Sequence, residues 1–124
     1  MNAVWVFLGA GLGGTLRYVM SNWSYGLLGR HFPWGTLFVN ASGSFIMGVV
    51  FVLLMNRYAV FAPQLRLFVL VGFLGGYTTF SSFSIETWNL FESGAWLSGS
   101  VNIFLNIVLC LGLIWLGIMW GRQL

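Results

Sequence analysis

The chain has 124 residues, a formal net charge of +3, 59% hydrophobic residues and only 6% charged ones, with a mean hydropathy of +0.91. These values exclude a soluble or disordered chain. The five basic residues, all arginine and scattered singly, exclude a nucleic-acid patch, and the single cysteine, Cys110, excludes an intrachain disulfide.

Four apolar stretches follow in order, at 3–28, 34–55, 63–91 and 96–121. Each supplies the ~20 residues that a bilayer crossing requires. Together they consume nearly the whole chain, so the sequence predicts an all-α membrane protein with one four-helix transmembrane domain over residues 1–124. The first stretch is not expected to be a cleaved signal, since no Lys or Arg precedes it and its apolar run is too long.

Span one carries Gly9 and Gly13, a small-xxx-small pair that lets another backbone approach closely. Arg17 lies well inside the span, where an unpaired charge costs about 2.5–3.5 kcal/mol on insertion scales. Snorkelling along its stem is one outlet; a wet vestibule that concentrates anions is the other, and the one favoured. His31 in the following turn has no second ligand at metal spacing and reads as a solvated turn residue.

Span two places Asn40, Ser44 and Gly48 four residues apart, one polar stripe on an apolar helix. Asn40 either makes an interhelical hydrogen bond or offers a donor to a permeation path, and the stripe alone decides neither. Span four repeats the pattern with Ser98, Asn102, Asn106 and Cys110.

Span three contains Gly72-Phe73-Leu74-Gly75-Gly76-Tyr77-Thr78-Thr79-Phe80-Ser81-Ser82-Phe83-Ser84. A glycine pair followed by hydroxyl residues in so apolar a chain predicts a helix broken near mid-membrane. Irregular backbone survives at that depth only where it lines a cavity or binds something. On a helical wheel Phe80, Phe83, Ser84 and Thr87 share one face, Ser81 flanks it and Ser82 points away. Hydroxyl donors and the positive edges of phenyl rings suit a small anion. Glu86, one of only two acids, is expected to cap or pair near the membrane boundary.

Trp5 and Trp120 fall near one membrane face and Trp23, Trp34 and Trp96 near the other, as interfacial belts require. Arg57, Arg66 and Arg122 on the side of the termini, against Arg30 on the other, mildly favour termini inside; counts this small make both orientations plausible. Four helices with axes ~8–10 Å apart leave no lumen, so a path calls for a second copy.

The run Gly75-Gly76-Tyr77-Thr78-Thr79-Phe80-Ser81-Ser82-Phe83-Ser84 closely resembles the signature of the Fluc (CrcB-type) fluoride channels of microorganisms. Two more stretches match in order: Gly-Leu-Gly-Gly-Thr-Leu-Arg-Tyr in span one and Gly-Thr-Leu-Phe-Val-Asn-Ala-Ser-Gly-Ser-Phe in span two. With length and span count, the resemblance covers the whole chain. It implies an antiparallel dual-topology homodimer in the cell inner membrane, with two fluoride pores that export cytoplasmic fluoride passively. It also implies a sodium ion on the two-fold axis, held by the backbone carbonyls of Gly75 and Thr78 from both copies. Phe80 and Phe83 match the family's pore phenylalanines, with Asn40 beside them, Ser81 and Ser84 on the polar track, and Arg17 at the vestibule. The family's span-four hydroxyl track maps here only onto Asn102 and Asn106.

Two other classes compare poorly. A small dual-topology drug/proton antiporter needs an intramembrane carboxylate in an early span, and spans one and two contain no Asp or Glu. A purely structural subunit accounts for the glycines but not for the polar stripes. No Ser/His/Asp set or paired acids suggests an enzyme.

Overall fold

The interior mixes buried polar side chains with apolar ones, while the exposed surface is largely apolar, unlike that of a soluble bundle. Phe7, Leu97 and Leu111 are among the most exposed side chains, whereas Asn102 is fully buried and Asn40, Asn106 and Thr87 nearly so. Lipid is as apolar as leucine, so sorting by hydrophobicity places the amides against one another. The structure is a computed structural model and describes residues 2–57 and 63–124.

Among the described residues six α-helical segments occur: α1 (Asn2–Leu28), α2 (Trp34–Val52), α3 (Pro63–Arg66), α4 (Gly75–Tyr77), α5 (Phe80–Glu92) and α6 (Trp96–Gly121). Wider π-type turns extend α2 through Leu53–Arg57 and join α3 to α4 through Leu67–Leu74. Among the described residues four continuous apolar helical stretches are long enough to cross a membrane: Asn2–Leu28, Trp34–Asn56, Pro63–Glu92 and Trp96–Gly121. These agree with the predicted spans to within a residue or so at each end. The protein is therefore an all-helical, multi-pass membrane protein.

Glycine sets the packing. A Cβ on Gly9 would strike the Phe68 carbonyl and one on Gly13 the Phe73 carbonyl, so α1 lies backbone to backbone against the Leu67–Leu74 segment. Gly48 faces the Ile114 carbonyl and Gly117 the Phe45 carbonyl in the same way, which locks α2 onto α6. Without a hydrophobic drive between helices in lipid, such close approach is the main source of association. Gly29 and Gly94 end α1 and α5 in the left-handed conformation, at φ 86° and 83°.

Between α4 and α5 the backbone leaves helical geometry. Thr78 (φ −85°, ψ 158°) and Thr79 (φ −150°, ψ 121°) are extended. The glycine pair itself is helical, and the extended residues are the two threonines that follow it. The cause lies on another helix. Asn40 of α2 accepts from the Thr79 N–H through Oδ1 at 2.7 Å and donates from Nδ2 to the Thr79 carbonyl at 2.9 Å. Glycine tolerates a break; Asn40 supplies the partners that make one at Thr79. Beyond it, the Thr79 hydroxyl accepts from the Ser82 N–H at 3.2 Å and caps α5.

Candidate functional site

Asn40 is the centre of a buried amide relay that crosses three helices. Its Nδ2 also donates to Asn106 Oδ1 at 3.1 Å. Asn106 Nδ2 donates to Asn102 Oδ1 at 3.0 Å and to the Asn102 carbonyl at 2.9 Å. Asn102 Nδ2 donates to Thr87 Oγ1 at 2.8 Å, and that hydroxyl donates to the Phe83 carbonyl at 2.7 Å. The relay spends both Nδ2 protons of Asn40 and of Asn106 on protein acceptors. In this conformation Asn40 makes interhelical hydrogen bonds to α6 and to the backbone before α5.

The relay forms one wall of a cavity of about 350 Å³ lined by Asn40, Thr79, Phe80, Phe83 and Asn106, and further along by Ser44, Met47 and Cys110. The rings of Phe80 and Phe83 lie 5.3 Å apart at 57°. Phe83 is buried, but Phe80 is 78% exposed, so within one chain its ring edge borders open space. Four of the predicted pore residues, Asn40, Phe80, Phe83 and Asn106, thus share one cavity.

Ser81 and Ser84 do not join them. Both are exposed, and Ser84 donates to the Phe80 carbonyl at 2.9 Å. Ser82, expected to point away, lines a second cavity of about 260 Å³ with Arg17, Tyr25, Thr36 and Glu86. Arg17 is thus placed beside a polar recess. Glu86 does pair, accepting from Thr36 Oγ1 at 2.8 Å. Thr79, Thr36 and Ser82 were missed as site residues. Position 79 carried a signal, a β-branched hydroxyl residue placed before a helix.

Gly75 is exposed, with its nearest non-local neighbour, Leu70 O, at 3.7 Å from a would-be Cβ. Thr78 is half-buried, and its hydroxyl donates to the Leu74 carbonyl at 3.0 Å. The N–H of Thr79, which in a continuous helix would reach the Gly75 carbonyl, is turned to Asn40. The Ser82 N–H, which in a continuous helix would reach the Thr78 carbonyl, goes to the Thr79 hydroxyl, so both carbonyls lack their usual helical donors. That donor set fits a hard cation such as sodium, which takes oxygen ligands. Among the described residues no group of three or more His, Cys, Asp or Glu offers an alternative metal site.

Four helical spans around a neutral amide relay, with an aromatic-rimmed cavity at its end, define a polytopic membrane protein with a buried polar core. The model of the family described as CrcB-like protein, Camphor Resistance (CrcB), matches residues 4–118. The chain belongs to that family. It is 49% identical over 124 residues, the full length of both chains, to a protein of Coxiella burnetii (strain Dugway 5J108-111) named "Fluoride-specific ion channel FluC". Proteins of the same name in Magnetococcus marinus (49% over 122 residues, 98% of each chain) and Geobacter metallireducens (40% over 124 residues, 100% of this chain and 99% of the relative) are similar throughout.

Proposed function

We propose that the protein is a passive, fluoride-selective channel that lets fluoride leave the cytoplasm. The observation that carries this reading is end-to-end similarity to proteins named fluoride-specific channels. The aromatic edge and hydroxyl groups around the Asn40–Phe83 cavity agree with it, because they partly replace an anion's hydration without a fixed charge that would trap the ion. Hydrogen fluoride crosses membranes neutral and ionises inside, so a passive anion exit clears it.

The working unit is an antiparallel dual-topology homodimer with two pores, seated in the cell inner membrane, its third span broken near mid-depth at Thr78-Thr79. The open faces at Phe80, Gly75 and Thr78 support a second copy, which would complete both the pore wall and a structural sodium site made of Gly75 and Thr78 carbonyls. Bound there, sodium would supply positive charge to carbonyls that the helix leaves unpaired.

The test is purified protein in liposomes loaded with fluoride or chloride, with a fluoride electrode outside and a potassium ionophore to release the charge. Fluoride is expected to leave rapidly and chloride to stay. Equal rates would remove selectivity, and dependence on a proton gradient would remove the passive mechanism.

A further inference from the structure

The turn between α1 and α2 is anchored at both ends. Gly29 leaves α1 at φ 86°, and its N–H donates to the Tyr25 carbonyl at 2.8 Å. On the other side Phe32 and Pro33 are buried, and the Phe32 ring packs on Trp34 with centroids 4.7 Å apart. Between these anchors Arg30 and His31 are exposed. The Arg30 guanidinium lies over the Tyr25 ring at 4.8 Å. A guanidinium stacked on an aromatic face keeps its in-plane N–H donors for another partner.

Both side chains line a cavity of about 310 Å³ between this turn and the end of α5. Asn89 adds an exposed amide, and Pro33 and Leu90 supply an apolar flank. The Ser93 hydroxyl is already used, donating to the Leu90 carbonyl at 3.0 Å. Glu86 is the one acid in the lining among the described residues, and its carboxyl is engaged within the protein. Thr36 Oγ1 donates to Oε1 at 2.8 Å, Tyr25 hydrogen-bonds the same group, and Oε2 is shut off from solvent. What the cavity offers a ligand is therefore one fixed cation, an imidazole that donates in either charge state, and a neutral amide.

Its depth follows from the elements around it. α1 ends at Leu28, α2 begins at Trp34, α5 ends at Glu92 and α6 begins at Trp96, so the cavity sits where the spans end. Trp23, Trp34 and Trp96 mark that end of the bundle in the manner of an interfacial belt. Leu27, Leu28 and Trp88 are exposed on the adjoining turns of α1 and α5, an apolar surface on the membrane side. Donors at headgroup level above such a surface match one chemical class, a phosphodiester that carries acyl chains. Arginine meets phosphate oxygens with two parallel N–H bonds, and basic pockets at the ends of transmembrane helices suit acidic headgroups. A soluble phosphate would use the donors and leave the apolar flank unmatched.

We propose that the Arg30–His31 cavity binds the phosphate of an anionic phospholipid, with Arg30 and His31 on the phosphate oxygens and the acyl chains against Leu27 and Leu28. This rests on the membrane placement of the spans and is independent of the fluoride reading.

Native mass spectrometry of purified protein, stripped of lipid in detergent and titrated with dioleoylphosphatidylglycerol, reads the site. Wild type is expected to hold this lipid more tightly than dioleoylphosphatidylcholine, whose choline offsets the phosphate charge; equal affinity would overturn the proposal. Arg30→Gln should weaken phosphatidylglycerol binding about tenfold, the effect of one lost charge-assisted hydrogen bond, and adding His31→Gln should weaken it further. Arg122→Gln removes the same charge at the opposite end of the bundle and should leave binding unchanged. An equal loss there would show attraction to net charge alone and overturn the site. Inorganic phosphate that binds as tightly as the lipid would reassign the cavity to a soluble anion. Phosphatidylglycerol with a photoactivatable headgroup checks the position in wild-type protein, whether or not the variants fold. Cross-links are expected within residues 30–34 or 89–93, and labelling confined to other segments, or none, would overturn the assignment.

Discussion

Asn40 holds Thr79 by both ends of its peptide unit, accepting from the N–H at 2.7 Å and donating to the carbonyl at 2.9 Å. A side-chain amide thereby stands in for the neighbouring turns of helix that Thr79 gives up. Removing it should be felt beyond one hydrogen bond, since two buried backbone groups and Asn106 Oδ1 lose partners together. At about 1–3 kcal/mol per buried group left unpaired, Asn40→Ala is expected to lower the melting temperature sharply. Asn40→Asp keeps the acceptor but not the donor, and should destabilise despite its equal size. Thermal unfolding in detergent, followed by size-exclusion, checks both. An Asp variant as stable as wild type would show that Nδ2 contributes nothing.

The two phenylalanines differ in burial, and this separates packing from anion contact. Phe80 is 78% exposed in the single chain and Phe83 9%. Replacing either with Ile removes the ring edge but keeps apolar bulk. Phe83→Ile should cost about 1 kcal/mol or so of stability and Phe80→Ile almost none, yet both should lose most fluoride efflux. Unchanged efflux in both variants would return the pair to a packing role.

Adjacent glycines should fail in different ways. A Cβ on Gly76 would lie 2.8 Å from the Ala10 carbonyl, a backbone atom that cannot move aside, whereas Gly75 has only Leu70 O at 3.7 Å. Gly76→Val is expected to reduce the yield of folded chain. Gly75→Val should fold as a single chain but fail to pair and to conduct. Chemical cross-linking in membranes distinguishes the outcomes, and a paired, conducting Gly75→Val protein would remove that face from the interface.

Sodium, if held by Gly75 and Thr78 carbonyls inside a closed interface, should exchange slowly. Fluoride efflux is expected to survive brief sodium removal and to decline when the protein is prepared in sodium-free buffer throughout. Full activity in protein that never met sodium would eliminate the site.

The spans were legible because length and apolarity alone determine them, and 34–55 and 63–91 end within a residue of the observed Trp34–Asn56 and Pro63–Glu92. Gly9 and Gly13 were legible too, since small residues at that spacing have few other uses. What holds the backbone at Thr79 was not, because the contact comes from Asn40, 39 residues away. Ser82, placed facing away by the wheel, lines the Arg17 cavity for a related reason. A wheel drawn from Phe80 orders the faces of α5 but does not tell which face meets α1 and Arg17. Glu86 looked like a boundary residue by its place in the chain, and only the fold brings Thr36 to it.

The relay from Thr79 through Asn40, Asn106 and Asn102 to Thr87 contains amides, hydroxyls and backbone groups but no formal charge. A transmembrane voltage does work on charge, about 2.3 kcal/mol per elementary charge per 100 mV moved across the full field, and in this relay it finds none to displace. The wall of the cavity should therefore hold its shape at any resting potential. Current through the protein in planar bilayers is expected to track the driving force in a straight line, with no gating charge and no voltage at which it shuts.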